Sequence, residues 1–324
     1  MEKIKIASWS LENGKTQHDT TVFYQLFGLP LGQAPVVLIN HALTGNSNVC
    51  GTNGWWSEII GKKKAINTDY FTVLAINIPG NGYDGELKNL LLSYRDFTTR
   101  DVANLFWKVL IELGINHLHT IIGGSLGGAI AWEMLLWRPN NISNLIPIAT
   151  DWKTTNWVAA NVFLQDKILN NSDDPIADAR IHAMLLYRTP QSLNVKFEGL
   201  KATENFDFQI ESWLAHHGQK LQNRFRLSAY KLMNHLLKTV GKNLTEQDFL
   251  TQVVQSDATI HIVSVNSDLF FLSSQNQQTA LMLQKHKHNV FLHQIQSVHG
   301  HDAFLIEDDQ LSDIISPIFE MVSY

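Results

Sequence analysis

The chain has 324 residues, 25 of them Lys or Arg and 30 Asp or Glu, for a formal net charge of −5 with both signs mixed along its length. Nothing in that balance forms a basic footprint for nucleic acid or a polybasic membrane anchor. The single cysteine, Cys50, excludes a disulfide framework and reads as a passive thiol. With no apolar signal core in "MEKIKIASWS" and no run approaching the ~20 apolar residues of a membrane span, the expected compartment is the cytoplasm.

In chain order, "ENGK" (Glu12–Lys15) is a turn signal and "TTVFYQLFG" (Thr20–Gly28) is β-rich, so the N-terminus predicts a hairpin. "PVVLIN" (Pro35–Asn40), a near-continuous apolar run, reads as a strand covered on both faces. "FTVLAIN" (Phe71–Asn77), "HTIIG" (His119–Gly123), "NLIPIAT" (Asn144–Thr150), "TIHIVSVN" (Thr259–Asn266) and "VFLHQI" (Val290–Ile295) read the same way. Helical periodicity fits Phe97–Leu113, Gly128–Trp137 (stopped by Pro139), Ser274–Gln284 and Ala303–Met321. Strand and helix in repetition predict an α/β fold with a mostly parallel sheet and helices on both faces. Between Thr150 and Ala258 the rhythm changes to helical periodicity rich in Trp, Asn, Gln and His. We expect residues 1–150 and 259–324 to form the core and 151–258 a helical lid insertion.

Gly123-Gly124-Ser125-Leu126-Gly127 satisfies G-x-S-x-G where a predicted strand meets a predicted helix. At such an elbow the nucleophile sits in strained φ/ψ and its neighbours must lack side chains. Serine needs a base, and the base an orienting acid; in this arrangement the chain order is serine, acid, histidine. Asp268 follows the strand "TIHIVSVN", and His301 follows the last strand at a loop-to-helix joint, preferred over His299. His286 and His288 read as solvated residues of a helix pattern. Leu126 N–H is the expected first oxyanion donor and Leu43 N–H, in the loop after Pro35–Asn40, the second. His41 is expected to fix that loop by hydrogen bonds, since no second ligand stands at metal spacing; no metal is expected. Trp55 and Trp56 read as core or wall aromatics.

A competing pattern is Gly80-x-Gly82-x-x-Gly85 after Phe71–Asn77, with Asp101 near the place of a ribose-binding acid. The third glycine of a dinucleotide fingerprint lies inside a helix packed on the strand, and here a polar stretch follows Gly85. A loop near the site mouth is the better reading.

The chain resembles the homoserine O-acetyltransferase group of the α/β-hydrolase superfamily. The resemblance rests on "NHALTGNS" (Asn40–Ser47), "NGWWSEIIGKKKAINTDYFTVLAIN" (Asn53–Asn77), "GGSLGGAIAWEM" (Gly123–Met134), "ARIHAMLLYR" (Ala179–Arg188), "ESWLAHHGQKLQNRF" (Glu211–Phe225) and "HGHDAFLIE" (His299–Glu307), in the family's order. It implies the α/β-hydrolase fold, the triad Ser125–Asp268–His301, ping-pong transfer of acetyl from acetyl-CoA as co-substrate, with no bound cofactor, to the side-chain hydroxyl of homoserine, and a place in methionine biosynthesis. It further implies that Arg180 holds the acceptor carboxylate as a bidentate fork, that Asp302 faces its ammonium, and that two copies pair through the lid. No nucleic-acid or membrane partner is implied. Three stretches depart from the family: "IPGNGYDG" replaces a Gly/Ser/Thr/Pro-rich tunnel segment, His216-His217 stands for Tyr-Gln, and Ala129-Ile130 for Met-Gln. Succinyl as the acyl group, another hydroxylated acceptor, ester hydrolysis and a catalytically silent binding protein are the alternatives left open.

Overall fold

In the computed structural model of the chain, residues 1–200 and 206–320 are described. Strands β1 (Glu2–Ser10) and β2 (Thr16–Gly28) form the expected hairpin, with Trp9 opposite Gln17. They are followed by β3 (Val36–Asn40), the two-residue strands β4 (Ile60–Gly61) and β5 (Ile66–Asn67), and β6 (Thr72–Ile76). Helix α1 (Thr99–Glu112), β7 (Leu118–Gly124), α2 (Leu126–Trp137) and β8 (Ile142–Ile148) complete the first part of the core.

Among the described residues, six helices then run between β8 and the next strand: α3 (Asn156–Asn171), α4 (Pro175–Tyr187), α5 (Pro190–Phe197), α6 (Gln209–Gln222), α7 (Leu227–Leu237) and α8 (Glu246–Val254). The core resumes with β9 (Thr259–Val265), α9 (Ser273–Gln284), β10 (Val290–Ile295), a 3-10 turn at Gly300–Leu305 and α10 (Asp308–Phe319).

Eight strands form one sheet in the order β1-β2-β6-β3-β7-β8-β9-β10. Pairing is antiparallel at β1/β2 and β2/β6 and parallel from β6 onward. Alternate residues of each central strand feed two apolar layers. Leu38, Leu74, Ile121 and Leu145 face the layer containing α1 and α2. Val37, Val73, Ile122 and Ile146 face the layer closed by α10. A strand with both faces covered must be apolar at every position, which is why β3 and β6 read as unbroken runs.

The C-terminal apolar periodicity, expected as one helix over Ala303–Met321, is divided. Ala303–Leu305 belong to the 3-10 turn and the α-helix starts at Asp308; Met321 lies outside the described residues. The break arises because the turn has to bring His301 back over the sheet before the chain can run along it. His286 and His288 are exposed as expected, but lie just past the end of α9. Among the described residues no helix is long and apolar enough to cross a membrane.

Candidate active site

Ser125 sits between the last residue of β7 and the first of α2 with φ 55° and ψ −125°, a left-handed conformation that non-glycine residues adopt only under constraint. Its backbone N–H donates to Ile148 O at 2.9 Å and its carbonyl accepts from Ala129 N at 3.1 Å, so the turn is pinned from both sides. The flanking glycines are required by close approach. A Cβ on Gly127 would stand 2.2 Å from Asn40 O, and one on Gly124 2.3 Å from the Phe304 ring. Helix α2 is buried from Leu126 to Leu136, so its N-terminal dipole points at the Ser125 hydroxyl from inside the protein.

The other two expected members of the triad are in contact. Asp268 Oδ2 accepts from His301 Nδ1 at 2.7 Å, with both side chains almost fully buried. Asp268 Oδ1 accepts from Phe270 N at 2.7 Å and Phe271 N at 2.9 Å, which fixes the carboxylate plane. Four aromatic rings surround the imidazole of His301: Tyr187 at 5.3 Å, Phe270 at 5.4 Å, Phe271 at 5.6 Å and Phe304 at 5.7 Å between centroids. With Nδ1 committed to the carboxylate, Nε2 is the nitrogen left for proton transfer. Phe304 touches both halves of the site, because the same ring stands over Gly124, next to Ser125. The Ser125 hydroxyl makes no hydrogen bond among the described residues, and catalytic hydrogen bonds of this kind often tighten only when substrate is bound.

The loop after β3 is held as the sequence suggested. His41 Nδ1 donates to Ala42 O at 2.8 Å while Nε2 accepts from Ile78 N at 3.0 Å, an arrangement that specifies the neutral ring with its proton on Nδ1. Burial pushes its pKa down to about 4. Asn77 fastens the same loop from the end of β6: its Oδ1 accepts from Ser47 N and its Nδ2 donates to Ser47 Oγ, both at 2.9 Å. The backbone N–H groups of Leu43 and Leu126 have no acceptor among the described residues.

Arg180 projects from α4 with its guanidinium 5.6 Å from the ring centroid of Tyr187, which in turn packs on His301. Asp302 is half-buried beside them; burial raises its carboxyl above the usual range, opposed by the charges of Arg180, His301 and Arg188. The structure thus brings Arg180 and Asp302 into the neighbourhood of His301. His217 lies close to the same arginine: burial first, then the Arg180 charge, push it down to about 4, and its ring packs on Trp213 at 4.3 Å. His299 points elsewhere, its Nδ1 3.0 Å from Arg188 Nη2. Tyr187, Phe270 and Arg224, whose Nη1 donates to Thr44 O at 3.0 Å, belong to this neighbourhood and were not singled out from sequence. Tyr187 alone had a signal: it follows Arg180 by seven residues, two helical turns on one face.

The dinucleotide pattern lies in a loop, the reading preferred from sequence. Gly80, Gly82 and Gly85 all have positive φ in a loop, with no α-helix before Thr99. Asp101 is the N3 residue of a capping box, accepting from Thr98 N at 2.9 Å and also from Glu12 N at 2.8 Å. Trp56 is buried, with Nε1 donating to Phe304 O, and Cys50 is half-buried with its thiol pushed up by burial. Among the described residues no group of three or more His, Cys, Asp or Glu is placed to hold a metal ion.

A family model for the alpha/beta hydrolase fold matches residues 35–192. A homoserine O-acetyltransferase from Salinibacter ruber is 29% identical over 346 residues, covering 97% of this chain and 96% of the relative. Among solved structures, homoserine O-acetyltransferase from Bacillus anthracis superposes with a TM-score of 0.87 at 18% identity, covering 99% of each chain. Esterase E22 does so with a TM-score of 0.88 at 17% identity, covering 98% of this chain and 99% of its own. The chain has the α/β-hydrolase fold. Within that fold it is similar over nearly its whole length to the homoserine O-acetyltransferases, as its motifs implied.

Proposed function

We propose that this chain transfers an acetyl group from acetyl-CoA to the side-chain hydroxyl of homoserine through an acyl-enzyme on Ser125. The observation that supports the reading most is the buried 2.7 Å bond from His301 Nδ1 to Asp268, joined to the strained serine elbow through the Phe304 ring. In the first half-reaction His301 Nε2 takes the Ser125 proton as Oγ attacks the thioester carbonyl. The Leu43 and Leu126 amides, free of other acceptors, receive the oxyanion. The C–S bond breaks, His301 passes its proton to the departing thiolate, and the acetyl group stays on Ser125. In the second half-reaction His301 takes the proton of the acceptor hydroxyl, which attacks the acetyl carbonyl; the ester leaves and the proton returns to Ser125. Asp268 holds the tautomer and balances the imidazolium charge throughout.

Arg180 binds the acceptor carboxylate and Asp302 its ammonium, a pairing supported by their shared neighbourhood with Tyr187 and His301. Residues 151–258 act as the lid over a core of 1–150 and 259–324, two copies pair through that lid, and the enzyme works in the cytoplasm. The test is acyl transfer from acetyl-CoA and succinyl-CoA to a panel of hydroxy amino acids. We expect thiol release and O-acetylhomoserine formation to require both substrates, and Ser125→Ala to lose several orders of magnitude in kcat. Turnover with succinyl-CoA in preference to acetyl-CoA overturns the acyl assignment. Acetate release indifferent to homoserine overturns transfer in favour of ester hydrolysis.

A further inference from the structure

The turn that carries His301 is gripped by consecutive residues of the lid. Thr189 Oγ1 donates to Val298 O at 2.5 Å. Arg188 Nη2 lies 3.0 Å and Ser192 Oγ 2.9 Å from the same atom, His299 Nδ1. Arginine only donates, so Nδ1 is the acceptor of both and His299 is the neutral ring with its proton on Nε2. Arg188 also donates to Ser192 Oγ from Nε at 3.1 Å and Nη2 at 2.5 Å, which turns the serine hydroxyl toward the imidazole. One residue further, Gly300 has φ +71° and runs so close under the end of α4 that a Cβ would stand 2.8 Å from Tyr187 O. Residues 187–192 of the lid therefore hold residues 298–300, and His301 follows directly, its ring packed on that of Tyr187.

We propose that Arg188, Ser192 and His299 are positioning residues for His301: a polar latch through which the lid sets where the catalytic base stands relative to Ser125. The inference rests on the triad reading above and adds a consequence. Helix α4 carries Arg180 seven residues before Tyr187 and ends where the latch begins. Engagement of an acceptor carboxylate by Arg180 and the alignment of His301 are then two ends of one rigid element. In this proposal the three act on His301 through the backbone of the turn.

The test compares His299→Leu, which fills the space without an acceptor, with His299→Asn, whose amide oxygen replaces Nδ1. The rate of Ser125 labelling by a fluorophosphonate reads base alignment without any acyl donor, and steady-state kinetics and thermal midpoint are measured alongside. We expect His299→Leu to lower both the labelling rate and kcat about tenfold or more, as misplacement of a catalytic group does. KM should stay within about twofold, the split expected when only transition-state interactions are lost. His299→Asn should recover most of the loss, and the thermal midpoint should not track the rates. Wild-type labelling rate and kcat in His299→Leu would overturn the latch. Should His299→Leu not fold, Ser192→Ala removes the donor to His299 together with the oxygen that accepts from Arg188; a fall in labelling of about threefold or more, at least the size of one neutral hydrogen bond, is expected, and no fall overturns the proposal. Absence of labelling in the wild-type enzyme would instead sink the triad reading itself, and labelling without acetyl transfer would sink only the assigned reaction.

Discussion

His41 shows how one buried side chain fixes a catalytic loop and leaves a pH signature. Its ring is 1% exposed and bonded at both nitrogens in the neutral form, so protonation has to break the bond from Ile78 N–H and charge a buried group. The folded pKa is about 4 against 6.5 for the free side chain. Between those values the unfolded chain binds the extra proton, so stability from this residue is complete above pH 6.5 and is lost as pH falls toward 4. The expected loss between pH 7 and pH 5 is about 2 kcal/mol, from 1.36 kcal/mol per pKa unit. Urea unfolding at the two pH values measures it, and the pH-dependent part should be smaller by that amount in His41→Gln. An imidazole signal in NMR spectra with a midpoint near 6.5 would show instead that the ring is solvated in the native state. At this scale much of the site was legible. Ser125 is flagged by the glycines its turn demands, and Asp268 and His301 by their order at strand ends. Arg188 and His299 were not, because each is unremarkable in its own segment and they meet only through tertiary packing across 111 residues of chain.

Among elements, the entry and exit of the helical insertion are fastened to the core by a stack of rings. Trp152, four residues past β8, stacks on Phe249 of α8 at 4.0 Å and 10°, and Trp132 of α2 meets Phe249 edge-on at 5.4 Å. Phe249 is fully buried, so Phe249→Ala removes the centre of the stack and leaves a cavity between α2 and α8. The expected cost is about 3–5 kcal/mol, read as a lower urea midpoint with an unchanged slope; a cost below about 1 kcal/mol would mean that the helices close over the gap. Element boundaries were legible where burial is two-sided. The apolar run Val290–Ile295 coincides with β10, and Phe71–Asn77 exceeds β6 by one residue at each end. The β4/β5 pair was missed because two residues cannot show a period of two. The start of α1 at Thr99, rather than at Phe97, is set by the Thr98–Asp101 capping box, a polar signal that the apolar pattern hides. The individual lid helices went unresolved in a segment crowded with Asn and Gln, although Pro175 and Pro190 at their N-terminal turns marked two of the starts.

For the whole molecule, the alternation of strands and helices was enough to predict the parallel sheet, and the change of rhythm after β8 marked the six-helix segment. What composition cannot reveal is how tightly the helical segment between β8 and β9 closes on the sheet, and the proposed transfer depends on that seam, since water is always present to compete for an acyl-enzyme. The departure segment "IPGNGYDG" forms part of it. Gly80, at φ +82°, passes so close to the lid that a Cβ would lie 2.7 Å from Leu232 Cδ2 of α7 and 3.0 Å from Leu91 Cγ, and Gly82 runs beside Arg226 and Ala229. A glycine-lined strap pressed on a lid helix is a way to close a site that the usual tunnel segment closes differently. Gly80→Val puts a branched side chain into a left-handed backbone with no room for it, so the strap has to lift from α7. With saturating homoserine and acetyl-CoA, the ratio of acetate released to O-acetylhomoserine formed should rise about fivefold, equivalent to about 1 kcal/mol of relative barrier. Ser125 should remain labelled by fluorophosphonate, because the triad lies on other elements. If the ratio stays at its wild-type value while the thermal midpoint falls, the strap contributes stability to the lid but does not keep water from the acyl-enzyme, and the dry site has to be built by α3, α4 and α7 alone.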